Sequence, residues 1–404
     1  LHPCGRSGKY MMKILIVHCL YGGIAPSGED VTVTKEMTLL GELYGKENVR
    51  SLIFSHTKGP FGFFSFFYLL VFANCAYAFN VIAYKPDKIF VHNSFPFVSL
   101  LLINFLAGKF STDLFMHNHR FYCANGLMLR DGNYCDLCLT RKNNLMGFFK
   151  KCKNKSFIKS FIYATFGSIL RYFRLNNIDR FVTFSNKHKD LVKRSGITDR
   201  NNVVVLPHFV SSPPQLAAND LDKGVVGQGG KNEFLFVGRL SEEKGIDQLL
   251  SIVSEEPRFN INVIGDGPLK NDLVKRYGGC DRIRFSGKLS QNELLYEMKQ
   301  SSYLLFNSIC FETFGLVIAE AFSQSLPVIA RNLGSPSEMV KDGLNGFLFN
   351  HENIEEVLLR ATELTDSGYT NLCSNARSTF ELSFIQLNRR DFYEAGVQTP
   401  KLFS

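Results

Sequence analysis

Arg239 and Lys244 stand five residues apart in FLFVGRLSEEKGIDQLL, where a β-rich run gives way to a helical pattern. Gly238 lets the chain turn at the end of that strand. Arg239 offers a planar, permanently charged fork that matches phosphate oxygens, and Lys244 adds a point charge. The helix that starts near Ile246 would bring its N-terminal N–H groups to the same anion. Ser241 and Lys244 make no capping box, so a ligand explains the polar run SEEKG better than capping does. Further on, ICFETFGLVIAEAF carries Glu312 and Glu320 with seven residues between them. Thr313-Phe314-Gly315 reads as a turn and Leu316 onward as a helix, which puts Glu312 before the helix and Glu320 inside it. Carboxylates accept hydrogen bonds from sugar and ribose hydroxyls, and two so spaced reach opposite ends of one long ligand. The backbone N–H groups of Gly315 to Val317 would face its phosphates. Read alone, GRL and EKG could also be a solvated loop, and the two glutamates a helix surface.

GRL…EKG followed by E-x-F-G-x-x-x-x-E resembles the retaining GT-B glycosyltransferases, specifically glycosyltransferase family 4 (group 1), and among them bacterial polysaccharide-biosynthesis members. The resemblance extends from Met12 to about Asn388. It implies an α/β fold of GT-B type, two doubly wound Rossmann-like domains facing a central cleft. It also implies a hexosyltransferase that moves sugar from a UDP- or GDP-linked donor to a glycan or lipid-linked acceptor. Arg239 and Lys244 would bind the donor diphosphate, Glu312 the transferred sugar and Glu320 the ribose, with Phe314, Gly315, Leu316 and Val317 along the donor. VIGDGPLK matches the family pattern and puts Gly265 and Asp266 near the nucleotide. YGGIAPSGEDVTV resembles the family's glycine-rich loop, with Gly22 and Gly23 against donor and acceptor, although the extra IAPSGED departs from the pattern. His117, followed by Asn118 and His119, matches a family histidine at a strand end near the transferred sugar; His92 in FVHNSFP is a weaker counterpart. In the family mechanism the departing phosphate takes the acceptor's proton. The catalytic set is then His117, Glu312, Arg239 and Lys244, and no cofactor or bridging metal is required.

These residues need two sheets to hold them. Short β-branched runs alternate with longer helical patterns, the signature of parallel α/β domains. Expected strands are 13–19, 50–54, 88–92, 113–117, 180–184 and 203–206, then 233–237, 260–264, 283–285, 303–306 and 327–330. Expected helices are 31–44, 187–195, 246–254, 269–277, 290–300 and 316–322. SSPPQ and GVVGQGG punctuate a linker at 209–231 between domains at 12–208 and 232–385. A helix in 386–404 would cross back onto the first domain. Ligands of open α/β folds bind at the carboxyl ends of the strands, so a cleft between two such sheets is the expected site.

Cys123, Cys135, Cys138 and Cys152 form C-x11-C-x2-C-x13-C in a loop-rich stretch. This is metal-ligand spacing, consistent with a structural zinc clip; four packed thiols are the other reading. Arg141–Lys159 mixes seven basic residues with Phe, Leu and Met and has no acid, a mixture that suits an anionic membrane surface as well as it suits a solvated face. The formal charge of +9 calls for an anionic partner. No nucleic-acid module is present to claim it, and many of the 38 Phe fall before residue 185. Met11 or Met12 is the expected chemical start. The run KILIVHCL reads as a buried strand rather than a signal peptide, so a cytoplasmic location is the default expectation, and a lipid-linked acceptor would add a peripheral position on the inner face of the membrane. The uncharged stretch 59–84 is interrupted by Pro60, Gly62, Ser65, Asn74 and Asn80, and reads as a buried or surface-lying helix rather than a span. A nicotinamide enzyme would carry G-x-G-x-x-G after the first strand, where GGIAPSG stands instead. A sugar-nucleotide epimerase of GT-B shape is the alternative activity.

Overall fold

The computed structural model describes residues 12–20, 28–55, 62–94, 98–210 and 230–384, together with Arg389, Phe392 and Tyr393. Gly22, Gly23 and most of the linker lie outside the described residues.

The first sheet holds β1 (Ile14–Leu20), β2 (Val49–Ser55), β3 (Lys88–Asn93) and β4 (Thr112–Phe115). A two-stranded antiparallel hairpin, β5 (Leu129–Arg130) and β6 (Asn133–Tyr134), interrupts it before β7 (Arg180–Thr183) and β8 (Val203–Val205) complete it. The second sheet holds β9 (Glu233–Val237), β10 (Asn260–Ile264), β11 (Ile283–Gly287), β12 (Tyr303–Phe306), β13 (Val328–Arg331) and β14 (Gly346–Phe349). The strand orders are β2-β1-β3-β4-β7-β8 and β11-β10-β9-β12-β13-β14, every neighbour parallel. In each sheet the order reverses beside the first strand, and the crevice at that reversal is where doubly wound sheets bind ligands. Parallel sheets are covered on both faces, which is why β1 and β12 are runs of buried apolar residues rather than alternating ones.

Helices of the first domain include α1 (Gly28–Tyr44), α2 (Gly62–Tyr84), α3 (Leu100–Ala107), α4 (Leu137–Thr140), α5 (Leu145–Phe149), α6 (Phe157–Phe173) and α7 (Asn186–Ser195). Those of the second are α8 (Ile246–Glu255), α9 (Lys270–Tyr277), α10 (Gln291–Gln300), α11 (Leu316–Ser323), α12 (Pro336–Met339), α13 (Ile354–Thr362) and α14 (Asp366–Ser383). Ser290 and Glu293 close a full capping box on α10. The uncharged stretch becomes α2, which buries Ala73, Tyr77 and Val81 at a four-residue interval and leaves Val71, Phe72, Phe79 and Ile82 exposed. Among the described residues no helix is long and apolar enough to cross a membrane.

Two readings need correction. The strand expected over 113–117 ends at Phe115: His117 N bonds back to the Phe115 carbonyl, so the chain has already left the sheet at His117. Strands β5, β6 and β14 have no counterpart among the expected ones, because two- to four-residue strands carry too few side chains to show a period.

The domains meet through a shared core in which Phe184, Leu206 and Phe209 of the first pack with Phe314, Ile318 and Phe322 of the second. Polar ties reinforce it. Glu338 accepts from the backbone N–H of Asn186 (2.9 Å) and Lys187, so a second-domain carboxylate sits on the positive end of α7. The hydroxyls of Ser185 and Ser335 stand 2.6 Å apart, and Val210 N donates to the Phe384 carbonyl at 3.0 Å. Beyond α14, Arg389 and Tyr393 contact the first domain. Arg389 donates to Glu36 of α1 at 2.7 Å and to the Pro207 carbonyl at 2.9 Å, and the Tyr44 hydroxyl donates to the Tyr393 carbonyl at 3.1 Å.

The Arg389–Glu36 side chains are 1% and 0% exposed, so each ion is stable there only with the other. Arg389→Ala is expected to lower unfolding stability by ~3–5 kcal/mol, because it leaves a bare carboxylate in the core. The double change Arg389→Met with Glu36→Leu should recover most of that loss. Urea unfolding of the three chains checks this; equal stability of wild type and Arg389→Ala would contradict it.

Candidate active site

Each cationic group of the expected anion site stands just past β9. Backbone bonds from Gly238 N to Ile264 O and from Leu240 N to Asp266 O lash this turn to the end of β10 (3.0 Å each). Gly265, at φ 147°, has a backbone so close to it that an added Cβ would stand 1.8 Å from the Gly238 carbonyl. The GDG turn is therefore demanded by packing of the Arg239 loop, whatever Gly265 and Asp266 do for a nucleotide. The Asp266 side chain is itself occupied by Gly267 N at 2.7 Å and Lys270 at 3.4 Å. Arg239 is exposed, and no carboxylate among the described residues pairs with it.

Lys244 ends a short 3-10 turn and is followed by Gly245 in the left-handed region (φ 62°), where a Cβ would lie 2.4 Å from the Asn307 carbonyl. That fold-back turns the lysine toward the loop after β12. There Lys244 Nζ meets Glu312 Oε1 at 2.5 Å, and the Ser308 hydroxyl donates to the same oxygen at 2.7 Å. Burial opposes ionisation of Glu312, but attraction and hydrogen bonding to Lys244 outweigh it and hold the carboxyl below its ordinary value. Burial likewise opposes the charge on Lys244, and Glu312 outweighs it to raise the ammonium. Both are ionised at neutral pH. The sequence placed Lys244 and Glu312 at different parts of a ligand; the fold makes them partners.

Gly315 leads into α11, so the N–H groups of Leu316 and Val317 lie in its first turn, and both residues are half-buried. Gly28, which opens α1, stands opposite: a Cβ there would touch Leu316 Cδ1 at 3.5 Å. The N-termini of one helix from each domain thus converge on the cleft, a doubled positive end. Glu320, in the second turn of α11, accepts from Gln291 at 3.3 Å; burial raises its carboxyl, countered by Lys35 on α1 and by Gln291. Phe314 is buried in the shared core against His208 and Phe384, so its ring is structural.

His117 is brought to the same place from the first domain. Its carbonyl accepts from the Thr313 hydroxyl at 3.2 Å, one residue from Glu312. Its Nε2 lies 3.1 Å from His92 Nδ1, and His92 Nε2 lies 3.8 Å from Glu36. Burial, then the neighbouring imidazoles and Arg389, keep His117 well below the usual histidine value, so it is neutral at pH 7. His119, which carried no assigned role, holds the Phe311 carbonyl at 2.8 Å through Nε2 while its Nδ1 meets the Tyr122 hydroxyl at 2.7 Å. This network requires the Nε2–H tautomer. The H-N-H spelling was the only signal for His119, and Ser308 had none. The arrangement gathers a cation pair, two helix N-termini, a carboxylate at the strand ends and a neutral imidazole. That set suits a diphosphate with a hydroxyl-rich group beside it.

Two parallel six-stranded domains with this cleft define a GT-B fold. The Anabaena protein HepE, crystallised with UDP and glucose, superposes at a TM-score of 0.61 with 16% identity, over 96% of this chain and 100% of that one. Residues 219–378 match the family Glycosyl transferases group 1, so the second domain carries that family's sequence signature on its own. Sulfoquinovosyl transferase SQD2 of Arabidopsis thaliana is 34% identical over 141 residues, which are 34% of this chain and 27% of that protein. The UDP-Gal:alpha-D-GlcNAc-diphosphoundecaprenol alpha-1,3-galactosyltransferase of Escherichia coli is 26% identical over 236 residues, 55% of this chain and 60% of that one. Both alignments span less than two thirds of those relatives' length.

His188 offers a direct test of the neutral imidazole cluster. It is fully buried, its ring nitrogens have no partner among the described residues, and burial and His119 hold it well below 6.5. With a depressed folded value, the unfolded chain binds the extra proton first, so stability is full above pH 6.5 and falls as the pH drops below it. His188→Phe removes that term. Relative to wild type, the variant should gain stability between pH 8 and pH 5, approaching ~2 kcal/mol at pH 5. Urea titrations at the two pH values measure it, and parallel losses in both proteins would show that His188 is not held neutral.

Proposed function

We propose that this protein is a glycosyltransferase that moves a sugar from a nucleoside-diphosphate donor to an acceptor hydroxyl with retention of configuration. The observation that carries this reading is the convergence of Arg239, the Lys244–Glu312 pair and the α11 N-terminus at the strand-reversal crevice of the second domain. The named relatives are transferases, which favours transfer over epimerisation. In this reading Arg239 and Lys244 take the diphosphate, with Lys244 bridging it to Glu312. Glu312 and the neutral His117 then flank the sugar, and Glu320 takes the ribose. As the glycosidic bond breaks, charge grows on the leaving phosphate, and the two cations and the helix ends stabilise it where it develops. The acceptor oxygen enters from the face the phosphate leaves, and the phosphate receives its proton. No protein nucleophile and no metal on the diphosphate are needed.

The acceptor is proposed to be lipid-linked, as the name of the Escherichia coli relative states for that protein. Helices α2, α3, α6 and α5 lie side by side on the first domain. Their outer surface exposes Phe79, Phe105, Phe149, Ile158, Phe161 and Tyr172. Lys150, Lys151, Lys155 and Lys159 rim it, all exposed. Apolar groups ringed by lysines fit the headgroup region of an anionic bilayer. Such a face would hold the enzyme peripherally on the cytoplasmic leaflet.

Thermal shift with UDP- and GDP-sugars identifies the base; no shift with either rejects the donor site. Arg239→Ala is expected to cut kcat/KM by roughly 100-fold or more by removing a charged donor to the phosphates, with the melting temperature unchanged. Glu312→Ala should abolish turnover while the protein remains folded. Near-normal turnover in either variant rejects the assigned roles. NMR of the anomeric proton in the first product decides retention. For the membrane face, Ile158→Asp with Phe161→Asp should release the protein from phosphatidylglycerol vesicles in co-sedimentation without lowering its stability. Full retention on the vesicles would move the contact elsewhere.

A further inference from the structure

Between β4 and α6 the chain makes an insertion of short elements whose four cysteines have no role in the chemistry above. Cys123, Cys135, Cys138 and Cys152 come from three separate turns of this insertion, and all four line one small cavity of about 20 Å³. The volume is that of a single water or ion. Every described cysteine is a free thiol, so no disulfide accounts for the clustering. The rest of the wall is mixed: Tyr122, Met128, Leu129 and Leu139 line it together with Asn125 and Asp136.

The Cys123 thiol donates to Asn125 Oδ1 at 3.0 Å, and the Cys138 thiol faces the Asn144 carbonyl at 4.0 Å. Arg171, buried on α6, donates to the Cys138 carbonyl at 2.7 Å and to the Tyr122 carbonyl at 3.2 Å, so a guanidinium braces the cluster from behind.

We propose that Cys123, Cys135, Cys138 and Cys152 bind one zinc ion as a tetrahedral four-thiolate site. Among the described residues no group of His, Cys, Asp or Glu already stands in a coordinating arrangement. Tetrahedral sulfurs bound at ~2.3 Å lie about 3.8 Å from one another, so binding draws the thiols inward across the small cavity they share. Each bound thiolate gives its proton to solvent, up to four per ion. The site's residual negative charge falls beside Arg130 and Arg171.

The clip has a consequence for the cleft. Cys135 directly follows the β5–β6 hairpin, and its N–H closes the hairpin base on the Met128 carbonyl at 2.8 Å. The hairpin packs Tyr134 against Phe311, ring centroids 6.2 Å apart, one residue before Glu312. Its tip, Gly132–Tyr134, also forms one wall of a concavity of about 640 Å³ whose other wall includes Ser241 and Gly245. Zinc would therefore fix the part of the first domain that borders the Lys244–Glu312 turn. The metal assignment stands whether or not the donor assignment does.

The full chain, expressed in zinc-supplemented medium and purified without chelator, should carry one zinc per chain by plasma mass spectrometry. Cys135→Ser and Cys138→Ser should each lose it, and the control Cys280→Ser should keep it. Demetallated wild type should take up cobalt with the intense sulfur-to-cobalt and d–d absorption of tetrahedral thiolate coordination. That readout does not depend on variant folding or on activity. Cobalt bands with no zinc as purified also support the site. Absence of both zinc and cobalt bands overturns the proposal, as does zinc retained in both Cys→Ser chains.

Discussion

The molecule turns on a seam one loop wide. Residues 117–119 leave β4 and meet residues 311–313 beyond β12, joined by the Thr313 hydroxyl on the His117 carbonyl and by His119 on the Phe311 carbonyl. Both hydrogen bonds use backbone carbonyls, so they fix the path of the chain rather than a rotamer. This sets how near the carboxyl ends of the two sheets approach. Glu312 lies inside the seam and is thereby held where Lys244 can reach it.

Around the seam the protein tolerates an expensive interior. Glu36, Arg389, His92, His117, His188 and His208 are packed with little water, several ring atoms lacking partners among the described residues. Burial of an unpaired imidazole costs the difference between its hydrated and neutral states, and burial of the ion pair costs desolvation of both charges. Apolar residues would fill the space more cheaply. A proposed return is a charge-neutral, preorganised wall beside the cleft: imidazoles kept unprotonated do not compete with Arg239 and Lys244 for an anion. Arg389 also ties the chain beyond α14 to α1, whose N-terminus faces that of α11.

Much of the fold was legible in one dimension. Strands β9, β10 and β12 match their expected bounds, since each is a short stretch rich in β-branched and aromatic residues between polar ones, and α8 and α10 begin and end within a residue of the pattern. The insertion between β4 and α6 was not legible beyond its cysteines. Its strands are two residues long and its first helices four and five, so no period could develop. The GDG turn shows the opposite limit. The residues were noticed for a ligand, but the glycine answers first to a carbonyl of the neighbouring loop, a contact made by residues 27 positions apart.

By itself the sequence determined the residue types and their local geometry: a fork and an ammonium after one strand, two carboxylates around a glycine turn, four thiols in one loop-rich stretch. Those features depend on neighbours within a few residues, and side-chain chemistry with backbone period is enough to read them. Only the tertiary structure decided the partnerships. Lys244 with Glu312, His117 with His92 and Thr313, Arg389 with Glu36, and the four cysteines around one cavity join distant segments. Each pairing follows from strand order and domain apposition, which many distant contacts fix together and no local pattern encodes.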